Sequence, residues 1–155
     1  MSNYYHKGSK VTVPGIGTEP HFENMRFSRS TKLITASAET LTAEDFGKIC
    51  FVTMSTGSDV AITLPAPTAG GVLTFINQLT PSGTGDLVIT APTTDTIVAM
   101  SNGDADADGA SNLLADTVTI EAASVGGERI EFVADGTYWY CFALQNVIGS
   151  ITFAG

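Results

Sequence analysis

Asp104-Ala105-Asp106-Ala107-Asp108-Gly109 spaces its carboxylates as a cation site would. Oxygen donors at positions one, three and five, followed by a glycine, open a calcium loop: hard oxygens surround the ion and the glycine permits the sharp turn. Asn112 falls at position nine. Position twelve, which should bring a bidentate Glu, holds Ala115 instead, with Asp116 one residue late. No flanking helices are predicted. The stretch therefore reads as a solvated acidic loop, and no metal or cofactor is assigned to the chain.

Other reactive side chains are not grouped for catalysis. His6 and His21 stand 15 residues apart with no cysteine or carboxylate cluster at zinc spacing. Glu128 with Glu131, or Asp59 with Asp86, could pair as acid and base on a glycoside, but nothing in the sequence supplies a pocket to hold them. There is no Gly-x-Ser-x-Gly, no phosphate loop and no Gly-x-Gly-x-x-Gly. An enzyme is not expected. Cys50 and Cys141 each sit inside an apolar run, as buried free thiols of a protein folded in a reducing cytoplasm would. A bridge between them requires neighbouring strands, which spacing alone leaves open.

The elements that carry these residues are strands. Val, Ile and Thr, stiff at χ1 and suited to a pleated surface, make up 43 of 155 residues, with 21 Thr among them. Gly contributes 16 and Pro 6, punctuation for many short turns. This composition excludes a helical bundle, a coiled coil and a collagen-like fibre. No apolar run approaches a membrane span, and the first residues lack the apolar stretch of a signal peptide.

Charge divides the chain in two. Residues 1–33 carry five basic side chains against two acids, whereas residues 34–155 carry only Lys48 and Arg129 against fourteen acids. With a net charge of −9, a nucleic-acid binder working through a global basic field is excluded. Residues 1–30 are interrupted by Pro14-Gly15 and Glu19-Pro20, apart from one short strand allowed by Val11 and Val13, and are expected to form an extended basic arm.

From residue 31 the hydrophobic period becomes two, which predicts a single domain over 31–155. Val60, Ile62 and Leu64 alternate with Ala61 and Thr63, and Ile130 and Phe132 with Arg129 and Glu131. Thr42 with Asp45 and then Gly47 predicts one helical turn. Ser55–Asp59 reads as a hairpin loop, and Asp135-Gly136 as a two-residue hairpin turn. The pattern predicts an antiparallel β-sandwich or barrel of about nine to eleven short strands.

Thr137–Leu144 is apolar on both faces: Trp139, Cys141 and Ala143 on one, Tyr138, Tyr140, Phe142 and Leu144 on the other. Two readings stay open. Either the strand is buried on both sides of one domain, or Tyr138, Tyr140 and Phe142 meet another copy, since aromatics with a polar handle suit interfaces.

An ordered set of segments then carries a resemblance. It runs through Thr40-Leu41-Thr42-Ala43-Glu44-Asp45-Phe46-Gly47-Lys48, Ala61-Ile62-Thr63-Leu64-Pro65-Ala66-Pro67 and Ala69-Gly70-Gly71-Val72-Leu73-Thr74-Phe75-Ile76. It continues with Leu87-Val88-Ile89-Thr90, Asp95-Thr96-Ile97 and the segment Gly127–Tyr140, which ends in Asp-Gly-Thr-Tyr-Trp-Tyr. Over roughly residues 38–155 the chain resembles head decoration (cement) proteins of tailed bacteriophages and related head-fibre and tail-fibre modules. The resemblance implies a virion component that is all-β, commonly trimeric and without enzymatic activity.

On that reading the chain is made in the host cytoplasm and placed on the capsid surface. Its partners are the major capsid protein and further copies of itself in a homotrimer, with no direct nucleic-acid contact and no membrane. The arm would order on the shell through Tyr4, Tyr5, Lys7, Lys10, Phe22, Arg26, Phe27, Arg29 and Lys32, where scattered anchors offset the entropy of ordering. The alternative is a tail-fibre or tailspike module that attaches to the host, reading carbohydrate. Against it, the chain has neither the repeats nor the heptads from which fibre shafts are built.

Overall fold

The computed structural model describes residues 29–53, 57–78, 85–94, 96–101, 114–122, 124, 126–147 and 149–155. Tyr4, Tyr5, Lys7, Lys10, Phe22, Arg26, Phe27, both histidines and the Asp104-Asp106-Asp108 loop lie outside these residues.

The protein is all-β, as its β-branched composition predicts. Twelve strands occur among the described residues: β1 (Thr31–Ile34), β2 (Ala38–Thr40), β3 (Ile49–Val52), β4 (Val60–Thr63), β5 (Val72–Asn77), β6 (Leu87–Thr90), β7 (Ile97–Ser101), β8 (Leu114–Ala115), β9 (Thr117–Ile120), β10 (Arg129–Ala134), β11 (Trp139–Leu144) and β12 (Ile151–Ala154). The count exceeds the nine to eleven expected because β2 and β8 have three and two residues, too short to show a period.

The strands form two sheets. The large one has the order β1-β3-β5-β10-β11-β7-β8 and the small one β12-β9-β6-β4-β2. Both are mixed and open-edged, which corrects the expectation of an antiparallel, possibly closed, architecture. The first six strands step back and forth between the sheets, so each pairs with the strand two places away. β1 with β3 and β3 with β5 are parallel in the large sheet; β2 with β4 and β4 with β6 are parallel in the small one. A period of two reports which face is buried and says nothing of strand direction.

The same alternation overturns the hairpin at Ser55–Asp59. It leads from β3 in the large sheet to β4 in the small one, so the strands it joins do not pair. The hairpin at Asp135-Gly136 does form, between β10 and β11, but its loop is four residues long. Gly136 has φ 104°, and the Asp135 carboxylate accepts bonds from the amides of Thr137 (2.7 Å) and Tyr138 (2.8 Å). The Asp135 N–H also donates to the Tyr138 carbonyl at 3.2 Å, so the chain reverses over Gly136 and Thr137.

The inner faces of both sheets contribute to one hydrophobic cluster. In the large sheet it includes Cys50, Leu73, Phe75, Ile130, Phe132, Trp139 and Cys141; in the small one Val60, Ile62, Leu87, Ile89, Val118 and Ile120. Trp139 is fully buried, edge-on to Phe46 (5.9 Å between centroids) and Phe132 (6.2 Å). Its indole N–H donates to the Pro65 carbonyl just past β4, at 3.0 Å. One side chain thereby ties the centre of the large sheet to the end of a small-sheet strand, with its polar atom satisfied.

Cys50 and Cys141 are free and buried, with β5 and β10 between their strands. Three strand spacings, about 14 Å, separate them laterally, roughly double the Cα–Cα limit of about 7 Å for a disulfide.

Candidate functional site

Thr42–Gly47 forms the expected turn, a single 3-10 turn over Ala43–Asp45, and it brings Asp45 into an ionic knot. The Asp45 carboxylate, almost fully buried, accepts the Thr42 amide at 3.1 Å and meets Lys48 Nζ at 2.8 Å and Lys32 Nζ at 3.2 Å. Lys32 Nζ also lies 2.8 Å from Glu39 Oε1. Burial opposes the charge on Asp45, but Lys48, the Thr42 amide and Lys32 outweigh it and hold the carboxyl below its ordinary value of 3.8. Lys32 behaves likewise: burial works against its charge, and the bonds to Glu39 and Asp45 raise its pKa. Among the residues read as capsid-binding, Lys32 is thus engaged within the domain, joining β1 to β2 and to the turn.

Arg29, the other residue read as capsid-binding that is described, donates from Nη1 to Thr74 Oγ1 at 3.3 Å. Thr74 lies in the middle of β5, on the side of the large sheet that faces away from the core. The chain therefore enters the domain with a side chain laid over that outer face.

The cross-strand register defines this face. One row runs Leu33, Phe51, Ile76, Arg129, Leu144 across β1, β3, β5, β10 and β11. A second runs Thr31, Ile49, Thr74, Glu131, Phe142, and a third Val72, Val133, Tyr140, Val98, Leu114. Among the described residues the exposed large hydrophobics are Leu33 at 63%, Leu144 at 55%, Phe142 at 45%, Val147 at 41% and Leu114 at 37%. Four of the five lie on this face. The charged members of the three rows, Arg129 and Glu131, satisfy each other at 2.7 Å. The outer face of the small sheet is different. There Ala38, Ala61, Val88, Thr119 and Thr152 form one row and Thr40, Thr63, Thr90, Thr117 and Ala154 the next, small side chains with many hydroxyls.

Of the residues read as an oligomer contact, Tyr140 and Phe142 share the apolar face, while Tyr138 lies in the loop before β11. Tyr140 donates its hydroxyl to Asp135 Oδ2 at 3.0 Å, which raises the tyrosine's pKa. The Asp135 carboxyl is lowered, by the Tyr138 amide most of all, then by the Thr137 amide, with the Tyr140 hydroxyl adding to them. Of the two readings of Thr137–Leu144, burial on both sides does not describe this chain: Trp139, Cys141 and Ala143 are buried, and Phe142 and Leu144 are open.

The carboxylates weighed as acid–base pairs have other roles here. Asp59 accepts the Asp86 amide at 3.0 Å and Asp86 accepts the Ala122 amide at 2.8 Å, so both fasten loops. Glu128 is fully buried and bonded to Asn77 Nδ2 at 3.3 Å, whereas Glu131 lies on the outer face with Arg129. Among the described residues no three His, Cys, Asp or Glu side chains converge as a metal site.

Sequence reasoning placed Leu144 with Tyr140 and Phe142 but missed Leu33, Phe51, Ile76 and Leu114 as parts of the same surface. A signal was there: Ile49–Val52 and Val72–Ile76, like Thr137–Leu144, are apolar on both faces. No family model matches the chain, and no curated protein matches it in sequence.

Proposed function

We propose that this protein is a non-enzymatic structural component of a phage virion, a homotrimer that binds the major capsid protein on the outer surface of the shell and cements it. The observation that carries the reading is the outer face of the large sheet: broad and apolar, with the Arg129–Glu131 pair and the Arg29 guanidinium as its charges, on an otherwise acidic body. A surface of that size and kind suits standing contact with protein better than turnover of a small molecule. The resemblance to decoration proteins supplies the partner and the location, and the two-sheet, sandwich-like body is consistent with it.

The division of labour follows from the charges. The acidic body packs with its own copies through the apolar face, while Lys7, Lys10, Arg26 and the arm aromatics meet the shell. Such a protein stabilises by mass action. Binding the assembled shell better than its dissociated parts raises shell stability by about RT ln(1 + [L]/Kd) per site, and many modest sites on one particle add.

Image reconstruction of purified virions tests the proposal. Density of this fold is expected over the shell, in groups of three around local three-fold positions. Density confined to the tail would overturn the cement reading and favour host attachment.

A further inference from the structure

We infer that the end of the sandwich around Asn77 and Glu128 holds a buried hard cation, calcium or sodium, through side-chain oxygens. The inference goes beyond the virion reading and does not depend on it.

Gly127 aims the carboxylate. With φ 87° it donates its N–H to the Asn77 carbonyl at 2.8 Å, while the Asn77 N–H donates to the Glu128 carbonyl at 3.0 Å. Two residues thus oppose one, a bulge that needs a left-handed glycine and redirects the side chain after it. Glu128 enters just before β10 on the inner face, in step with Ile130 and Phe132, and is fully buried.

Polar side chains surround it. Asn77 of β5 lies on one side, and the register carried one step past Arg129–Leu144 sets Gln145 on the other. The small sheet closes the layer. Ser124 Oγ accepts from Asn77 Nδ2 at 2.8 Å, and the Ile151 amide, next to Ser150, donates to Gln145 Oε1 at 3.2 Å.

The oxygens of this layer are short of partners. Asn77 Nδ2 also faces Glu128 Oε2 at 3.3 Å, which fixes the amide's orientation and leaves Asn77 Oδ1 without a donor. Glu128 Oε1 and Ser150 Oγ are buried and unpartnered too, and no other buried side-chain oxygen or nitrogen among the described residues is so left. A buried carboxylate without a counter-charge is costly, and orphaned polar atoms grouped in this way mark the place of a bound species.

The body has no basic side chain to offer. Residues 34–155 contain only Lys48, bound to Asp45, and Arg129, turned to the outer face against Glu131. Lys32 is held at Asp45 and Arg29 at Thr74. The counter-charge therefore comes from solution. Carboxylate, amide and hydroxyl oxygens, without nitrogen or sulfur, suit a hard cation, and a closed layer disfavours magnesium, which gives up its water reluctantly. Ser124 and Gln145, both half-buried, mark the way in.

The test uses the purified full chain, treated with chelator and exchanged into choline chloride. Melting is followed by circular dichroism as calcium, sodium or magnesium chloride is added. Calcium or sodium is expected to raise Tm by about 5–10 °C at roughly hundredfold excess over Kd, magnesium by less, and the cation that acts identifies the ion. Glu128→Gln removes the charge at nearly constant shape and should abolish the rise. Joint replacement of Asp104, Asp106 and Asp108 by Asn should preserve it. A wild type indifferent to both cations would overturn the site. A rise that persists in E128Q, or that vanishes in the triple variant, would place the ion elsewhere and overturn it as well. Should E128Q fail to fold, Asn77→Asp adds a second carboxylate and should tighten binding by about tenfold or more; unchanged or weaker binding would overturn the site.

Discussion

Asp45→Asn removes the charge from the knot that fastens β1 to the rest of the domain. The amide keeps an oxygen for the Thr42 N–H but forfeits both ion pairs, at 2.8 Å with Lys48 and 3.2 Å with Lys32. A hydrogen bond to a charged group contributes about 1.5–3 kcal/mol when well buried. Both lysines are more than a quarter exposed, so solvent screening brings the expected loss to about 1.5 kcal/mol in total. For a chain of this length that corresponds to a fall in Tm of roughly 3–6 °C, measured by circular dichroism at neutral pH. The pH dependence follows from the depressed carboxyl. Its contribution is complete above the ordinary value of 3.8 and is lost as pH falls through the lower value in the folded protein. The gap between wild type and D45N should therefore close in strong acid and narrow in high salt. Equal melting at neutral pH, or a gap that does not narrow as the pH is taken down into strong acid, would refute the reasoning.

Trp139→Ala, which empties the site between Phe46 and Phe132 and orphans the Pro65 carbonyl, is expected to cost about 3–5 kcal/mol in urea denaturation, with Trp139→Phe costing less. Burial, aided by the Asp45 charge, pushes the Cys50 thiol up to about 11, and burial pushes Cys141 up as well, so neither should react with a thiol reagent until the protein unfolds; fast labelling of the native chain would contradict their placement. Changing Lys7, Lys10 and Arg26 together to Ser should weaken cosedimentation with undecorated shells and reduce its salt dependence while leaving Tm unchanged. Lys32 stays out of that set because its loss would act through the Asp45 knot.

What the sequence discloses is burial, one residue at a time. Val60, Ile62 and Val118, Ile120 alternate with small or polar neighbours, and each lies on an inner face as that pattern predicts. Direction and partner are encoded elsewhere, in whether a connection turns back within its sheet or crosses to the other. Asp135-Gly136 declares itself because a left-handed glycine and an Asp side chain build the turn locally. Ser55–Asp59 carries similar turn residues and crosses between sheets, a choice made by the packing of β3 and β4 against different neighbours. The outer face was legible only in part for the same reason. Phe142 stands out within its own strand, whereas Leu33 and Leu144 become members of one row only when the register is known. Lys32 shows the reverse case: grouped by charge with the arm, it belongs to the domain by its bonds.

The most direct test of the cementing role is the rupture temperature of virions carrying the protein against that of otherwise identical particles stripped of it, followed by release of nucleic acid to a fluorescent dye. Occupied sites lower the free energy of the intact shell alone, so decorated particles are expected to rupture at the higher temperature, and adding the purified chain back to stripped particles should restore it. Identical rupture temperatures on particles shown to bind the protein would contradict the account.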